Sequence, residues 1–153
     1  MSRAQTEQGA PTREERLVAR YLAYVTAFNA ADLAAVAEHL TEDLVFDWGD
    51  TMPALVGRDA FTDFYALAWS HFSERLTVSD VRADGDRLSA HLDTAISVHT
   101  DWPDCPIRPM YAGTRFTVSG RMRYLFRADR ICHIADDVDA STTTPDTSPE
   151  EHS

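Results

Sequence analysis

The chain has 153 residues, 44% hydrophobic and 25% charged, the make-up of one folded domain with a core large enough to enclose a pocket. Its formal charge of −11 excludes nucleic acid as a partner, because phosphate would be repelled over most of the surface. All fourteen basic side chains are arginine, so Schiff-base lysine chemistry and a lysine phosphate clamp are both excluded.

The opening "MSRAQTEQGAPTREER" is polar and charged, unlike a signal peptide, and no apolar run approaches the roughly 20 residues of a membrane span. Cys105 and Cys132 make neither a disulfide framework nor a zinc pattern. They read as reduced thiols of a cytoplasmic protein, with a single bridge as the alternative. Residues 1–11 are expected to form a flexible arm, 12–140 the folded domain, and 141–153 ("STTTPDTSPEEHS") a disordered acidic tail.

Within the domain, Thr12 and Glu15 have the spacing of a capping box. Leu17, Tyr21, Tyr24 and Phe28 follow at helical intervals and form one apolar face. "NAAD" breaks that helix, and Asp32 caps a short second one with Leu33, Val36 and Leu40 turned inward. "DLVFDW" at 43–48 alternates as a strand, with Leu44, Phe46 and Trp48 on one side and Asp47 on the other. A third helix is expected to carry Phe61, Phe64, Tyr65, Ala68 and Phe72 on a strongly aromatic face.

The period then changes from 3.6 to 2. "LTVSDVRA" leads through the turn signal "DGD" into a strand with Leu88, Ala90, Leu92, Ile96 and Val98 on one face and His91, Asp93 and His99 on the other. The Pro-rich loop "DWPDCPIRPMYAG" returns as "TRFTVSGRMRYLF", with Phe116, Val118, Met122, Tyr124 and Phe126 sharing a face. A turn at "RADR" starts a last strand over 131–138, where Cys132, Ile134, Asp136 and Val138 share one face and His133, Ala135 and Asp137 the other. Helices followed by a meander of long antiparallel strands predict an α+β fold with the helices covering a curved sheet.

"YVTAFNAADLAAVAEHLTEDLVFDW", "ALVGRDAFTDFY" and "GRMRYLFRADRICHIADD" together resemble the SnoaL-like polyketide cyclases, within the nuclear-transport-factor-2-like superfamily that also holds ketosteroid isomerase. The resemblance covers nearly all of residues 15–138. It implies a cone: a strongly curved, mostly antiparallel sheet wrapped around three N-terminal helices, with an apolar pocket at the open end. It also implies homodimers through the outer sheet face and no cofactor. Superfamily members include cyclases, isomerases, dehydratases, epoxide hydrolases and plain binding or assembly domains, so the fold alone does not choose among them.

The resemblance also suggests roles. Tyr24 matches the oxyanion-stabilising tyrosine of ketosteroid isomerase, although a helix-one aromatic has a purely structural reading too. The isomerase's catalytic aspartate falls on Trp48 and its protonated second aspartate on Met122, so that reaction is rejected. Asp50 has the parity of a pocket residue but lies beyond Gly49. SnoaL-like cyclases carry an aspartate on the last strand, which falls on Asp136, with Ala135 in place of their usual tryptophan. Parity places Asp136 inside, beside Ile134, unless the strand end is frayed and solvated. Regular alternation puts His99 outside; a β-bulge before "HTDWP" would turn it inward.

His91-x-Asp93 and His99-x-Asp101 lack a third convergent ligand, so no metal is expected. Trp48, Asp50, Phe64, Trp69, Met122, Tyr124 and Ile134 are the expected lining for a flat, aromatic, polyketide-like ligand. The expected function is a cofactor-free acid–base enzyme of secondary metabolism such as antibiotic biosynthesis. It would cyclise or isomerise a polyketide-type substrate, or open an epoxide, with Asp136, Tyr24 and His99 as the catalytic candidates. The alternative is a non-catalytic small-molecule-binding or assembly dimer.

Overall fold

The computed structural model describes residues 10–49 and 52–145, and for 137–145 the backbone alone. Most of the expected arm, Asp50, and the tail beyond Pro145 lie outside the described residues. Helix α1 (Arg13–Asn29) begins with the expected capping box: Thr12 accepts from the Glu15 N–H, and Glu15 accepts from the Thr12 N–H. Asp32 caps α2 (Leu33–Ala37) through the Ala35 N–H. Strand β1 (Leu40–Asp47), the short β2 (Leu55–Val56) and helix α3 (Arg58–Ala68) follow. The rest of the domain is the meander β3 (Phe72–Asp84), β4 (Arg87–Val98), β5 (Arg115–Arg127) and β6 (Arg130–Pro145).

The strands form one curved, open sheet in the order β2-β1-β6-β5-β4-β3. Every neighbouring pair is antiparallel except β1 and β6, which run parallel. Register shifts interrupt β3–β4 between Ser79 and Arg82, and β5–β6 between Ser119 and Arg121. Such bulges bend a strand and increase its twist, and they let long strands wrap around the helices.

Three elements end elsewhere than expected. The second helix stops at Ala37, and Leu40, expected on its inner face, opens β1 instead, still buried. Phe72 is not helical: α3 stops at Ala68, and Phe72 opens β3 opposite Val98, where a second apolar cluster buries it with Trp102, Met110 and Phe116. Packing has overridden helical spacing. Strand β6 also takes in 141–145, which pair with β5 up to Phe116–Pro145, so the strand absorbs the first five residues of the expected tail.

The main core lies between α1 and the sheet, where Leu17, Tyr21 and Phe28 meet Leu88, Ala90, Tyr124 and Ile134. Cys105 and Cys132 are both free thiols. No helix among the described residues is long and apolar enough to cross a membrane. The N-terminal turn of α1 is tied to two hairpin tips. Glu14 accepts from the Gly85 N–H at 3.0 Å, and Arg13 donates to Asp86 and to the Ala128 carbonyl. The other end of α1 holds the edge strand. The Asn29 side chain accepts from the Leu76 N–H at 2.8 Å and donates to the Leu76 carbonyl at 2.9 Å, acting as a one-residue strand on β3.

That clamp generates a test. Replacing Asn29 with Leu leaves the Leu76 N–H and C=O unpaired in a part-buried setting, and the expected loss is about 1–3 kcal/mol of stability. Urea unfolding of Asn29→Leu with an unchanged midpoint would show that α1 does not secure β3.

Candidate functional site

Alternation in the strands turns one face of the sheet toward the helices, and between them lies a cavity of about 450 Å³. Tyr24 and Phe28 of α1, Phe64 and Tyr65 of α3, and Phe46 with Trp48 at the end of β1 form an aromatic wall. Leu92, Ile96, Phe116, Met122, Tyr124 and Ile134 line the sheet side. Gly120, at the β5–β6 register shift, adds no side chain and leaves space there. Ile107, Arg108 and Met110 come from the loop between β4 and β5.

Among the described residues, three charged side chains line this space: Glu74, Asp136 and Arg108. Glu74 was not among the expected site residues. It lies on β3 within the body of the protein, and its partial exposure is cavity surface. The Trp69 indole N–H donates to Glu74 Oε1 at 3.0 Å. Trp69 is itself clamped edge-on by Phe28, with ring centres 5.0 Å apart, and packed against Tyr65 at 5.5 Å. Removal from water disfavours the charged carboxylate and pushes the Glu74 pKa up from 4.5 to about 7. The Trp69 hydrogen bond works the other way and limits the rise.

Tyr24 lies within the field of Glu74. Burial, then the neighbouring Tyr21 and Glu74 charges, hold its phenol well above the ordinary tyrosine value, so it is a protonated hydrogen-bond donor throughout the neutral range. The same applies to Tyr65, where burial dominates and Glu74 adds to it. Tyr21 donates to the Tyr124 hydroxyl at 3.0 Å, which anchors Tyr124 in the wall.

Asp136 lines the cavity on β6, paired with Met122 and adjacent in alternation to Ile134. It and Glu74 approach from strands three positions apart in the sheet. His133 and Ala135 face a separate groove on the other side of the sheet, together with Asp47. His99 is exposed, hydrogen-bonded to Thr100 Oγ1, and is not part of the cavity lining. Pairing of β4 continues regularly through Val98, with no bulge to turn His99 inward.

Trp48, Phe64, Met122, Tyr124 and Ile134 all line the cavity; Trp69 does not, and stands behind Glu74 as its donor. Trp48 stacks on Phe46 at 4.4 Å and presents a flat aromatic wall there. Among the described residues no group of three His, Cys, Asp or Glu side chains converges as metal ligands would.

The loop from 99 to 114 is anchored rather than free. Trp102 and Met110 exchange both backbone hydrogen bonds, the Trp102 ring stacks on His71 at 4.6 Å, and the His71 carbonyl accepts from the His99 and Thr100 N–H groups. Its apolar residues Met110 and Cys105 are buried, so it forms a fixed part of the cavity rim.

Solved structures share this architecture. A candidate polyketide cyclase from Xanthomonas campestris pv. campestris is 25% identical, with a TM-score of 0.72 over 82% of this chain and 91% of that one. One from Pseudomonas putida is 24% identical, with a TM-score of 0.66 over 83% and 91%. An epoxide hydrolase of M. tuberculosis, of the LEH-like kind, is 14% identical, with a TM-score of 0.67 over 84% and 88%. No curated protein matches the chain. The family profile described as the SnoaL-like domain matches residues 21–134, and the chain belongs to that family.

Proposed function

We propose that the protein is a cofactor-independent acid–base enzyme that forms and redirects an enolate of a flat, polyketide-type ketone, with Glu74 as the principal base. The observation that carries this reading is a carboxyl group held inside an aromatic cavity and poised to titrate near neutrality. The Glu74 carboxylate takes a proton from the carbon next to a substrate carbonyl. The C–H electron pair moves into an enolate, whose oxygen accepts a hydrogen bond from the Tyr24 hydroxyl. The enolate carbon then attacks a second carbonyl of the same molecule, or is reprotonated elsewhere, giving cyclisation or isomerisation. Asp136 is the second carboxyl of the cavity and serves the other proton transfer. The aromatic wall supplies stacking surface for the substrate and keeps bulk water away from the enolate.

On this reading the protein acts in secondary metabolism, in the cytoplasm, as a homodimer through the outer sheet face. The rival reading, a binding domain without turnover, draws on Trp48 and Met122 occupying positions where the isomerase has carboxyls.

Deuterium exchange separates the two. A flat bicyclic ketone such as 2-tetralone is incubated in heavy water, and loss of its α-proton signal is followed by NMR. The expected catalysed rate rises with pH, because the carboxylate is the active form, and levels off above about 7. Glu74→Gln is expected to lower it about 100-fold or more. Binding of the ketone with no catalysed exchange would favour the rival.

Folding stability offers a second test. Below pH 4.5 Glu74 is protonated in folded and unfolded chains alike; between 4.5 and about 7 only the unfolded chain releases the proton. Stability therefore falls as pH rises through that window, by on the order of 3 kcal/mol from this group. Glu74→Gln lacks the penalty, so urea unfolding should show the variant gaining on the wild type by that amount between pH 4.5 and 8. A constant difference would mean that Glu74 is not desolvated.

A further inference from the structure

We infer that the cavity takes substrates bearing a carboxylate at the end remote from the reacting carbon, and that Arg108 is the residue that selects them. This rests on the reading of the cavity as a substrate site, but not on Glu74 being its base.

Among the described residues, Arg108 is the one basic side chain in the lining of the cavity. Its guanidinium carbon lies 4.4 Å from the centre of the Phe116 ring, a cation–π contact that orients it at the rim. It makes no hydrogen bond or ion pair with any described residue, whereas Arg13, Arg121 and Arg127 each hold an aspartate. Among the described residues nothing competes for its donors, and a guanidinium binds carboxylates through paired N–H groups. Arg108 is also exposed, so a carboxylate bound there keeps part of its hydration and avoids the cost of burying a charge.

The sheet register supplies a ruler. Glu74 pairs with Ile96, and Ile96 pairs with Phe116, so the base and the ring beneath Arg108 lie in one row, two strands apart. At about 4.8 Å between strands that separation is about 10 Å. All three row residues face the cavity. A rigid fused-ring acid can span the row with its anionic end on Arg108 and a ring carbon toward Glu74. A neutral molecule of the same shape leaves the guanidinium unanswered, and a shorter acid does not reach both.

The test uses 2-naphthoate and its neutral counterpart methyl 2-naphthoate, titrated into the full-length protein at pH 6, where Glu74 is mostly uncharged. Tryptophan fluorescence and protein-observed NMR report binding. The acid is expected to bind about ten-fold or more tightly than the ester. Arg108→Gln should abolish that preference by weakening the acid alone, and Arg108→Lys, which keeps the charge and loses the fork, should retain only part of it. Glu74→Gln should leave the preference in place, which separates this inference from the proposed chemistry. Equal binding of acid and ester to the wild type would overturn it, as would equal loss of both ligands in Arg108→Gln or failure of both to bind at millimolar concentration. Preference for the acid without any proton exchange would uphold it while removing the base from Glu74.

Discussion

A carboxyl enclosed by aromatic rings is the constraint around which the cavity is organised. Placed among Phe72, Tyr65, Phe28 and Trp69, the Glu74 side chain loses water and gains one indole N–H in return. One donor does not replace a hydration shell, and the group remains easier to protonate than a surface glutamate. Everything that fixes this imbalance is structural. Phe28 and Tyr65 hold the Trp69 ring, Asn29 pins β3 two residues beyond the glutamate, and pairing with β4 sets which face Glu74 presents.

The same packing explains how the cavity remains open while the rest of the domain is filled. Long aromatic residues on α1 and α3 lean on one another at ring-centre distances of roughly 5–6 Å, so the helices are stiffened from within. The sheet, bent at its register shifts, curves away from them. The loop between β4 and β5 covers part of the gap and is secured by its own pairing and by His71. Among the described residues, the charge in the lining comes from three side chains, whose placement differs: Glu74 on the edge strand β3, Asp136 on β6, and Arg108 at the exposed rim.

Much of this was legible in the chain. Thr12 and Glu15 marked the start of α1, the "DGD" turn marked the β3–β4 hairpin, and parity along "RICHIAD" put Asp136 on the same face as Ile134. The aromatic lining followed from helical and strand periodicity, with Trp69 the exception because its ring turns toward Glu74 instead of the open space. Glu74 itself was hidden by the α3–β3 boundary. With Phe72 counted as helical, no strand parity existed at 74. Once Phe72 begins a strand, Phe72-x-Glu74-x-Leu76 reads as a glutamate on an apolar face. His99 was an open question for the opposite reason: a bulge is a backbone event, and composition does not announce it.

Carboxyl-carbon NMR reads directly whether Glu74 is a desolvated carboxyl that changes charge near neutrality. The protein is labelled at glutamate side-chain carboxyl carbons, Glu74→Gln provides the assignment, and the signal is followed from pH 4 to 9. A midpoint near 7 is the predicted result. A midpoint close to 4.5 would mean that water reaches the group freely, and the account of the cavity as an acid–base site would be contradicted.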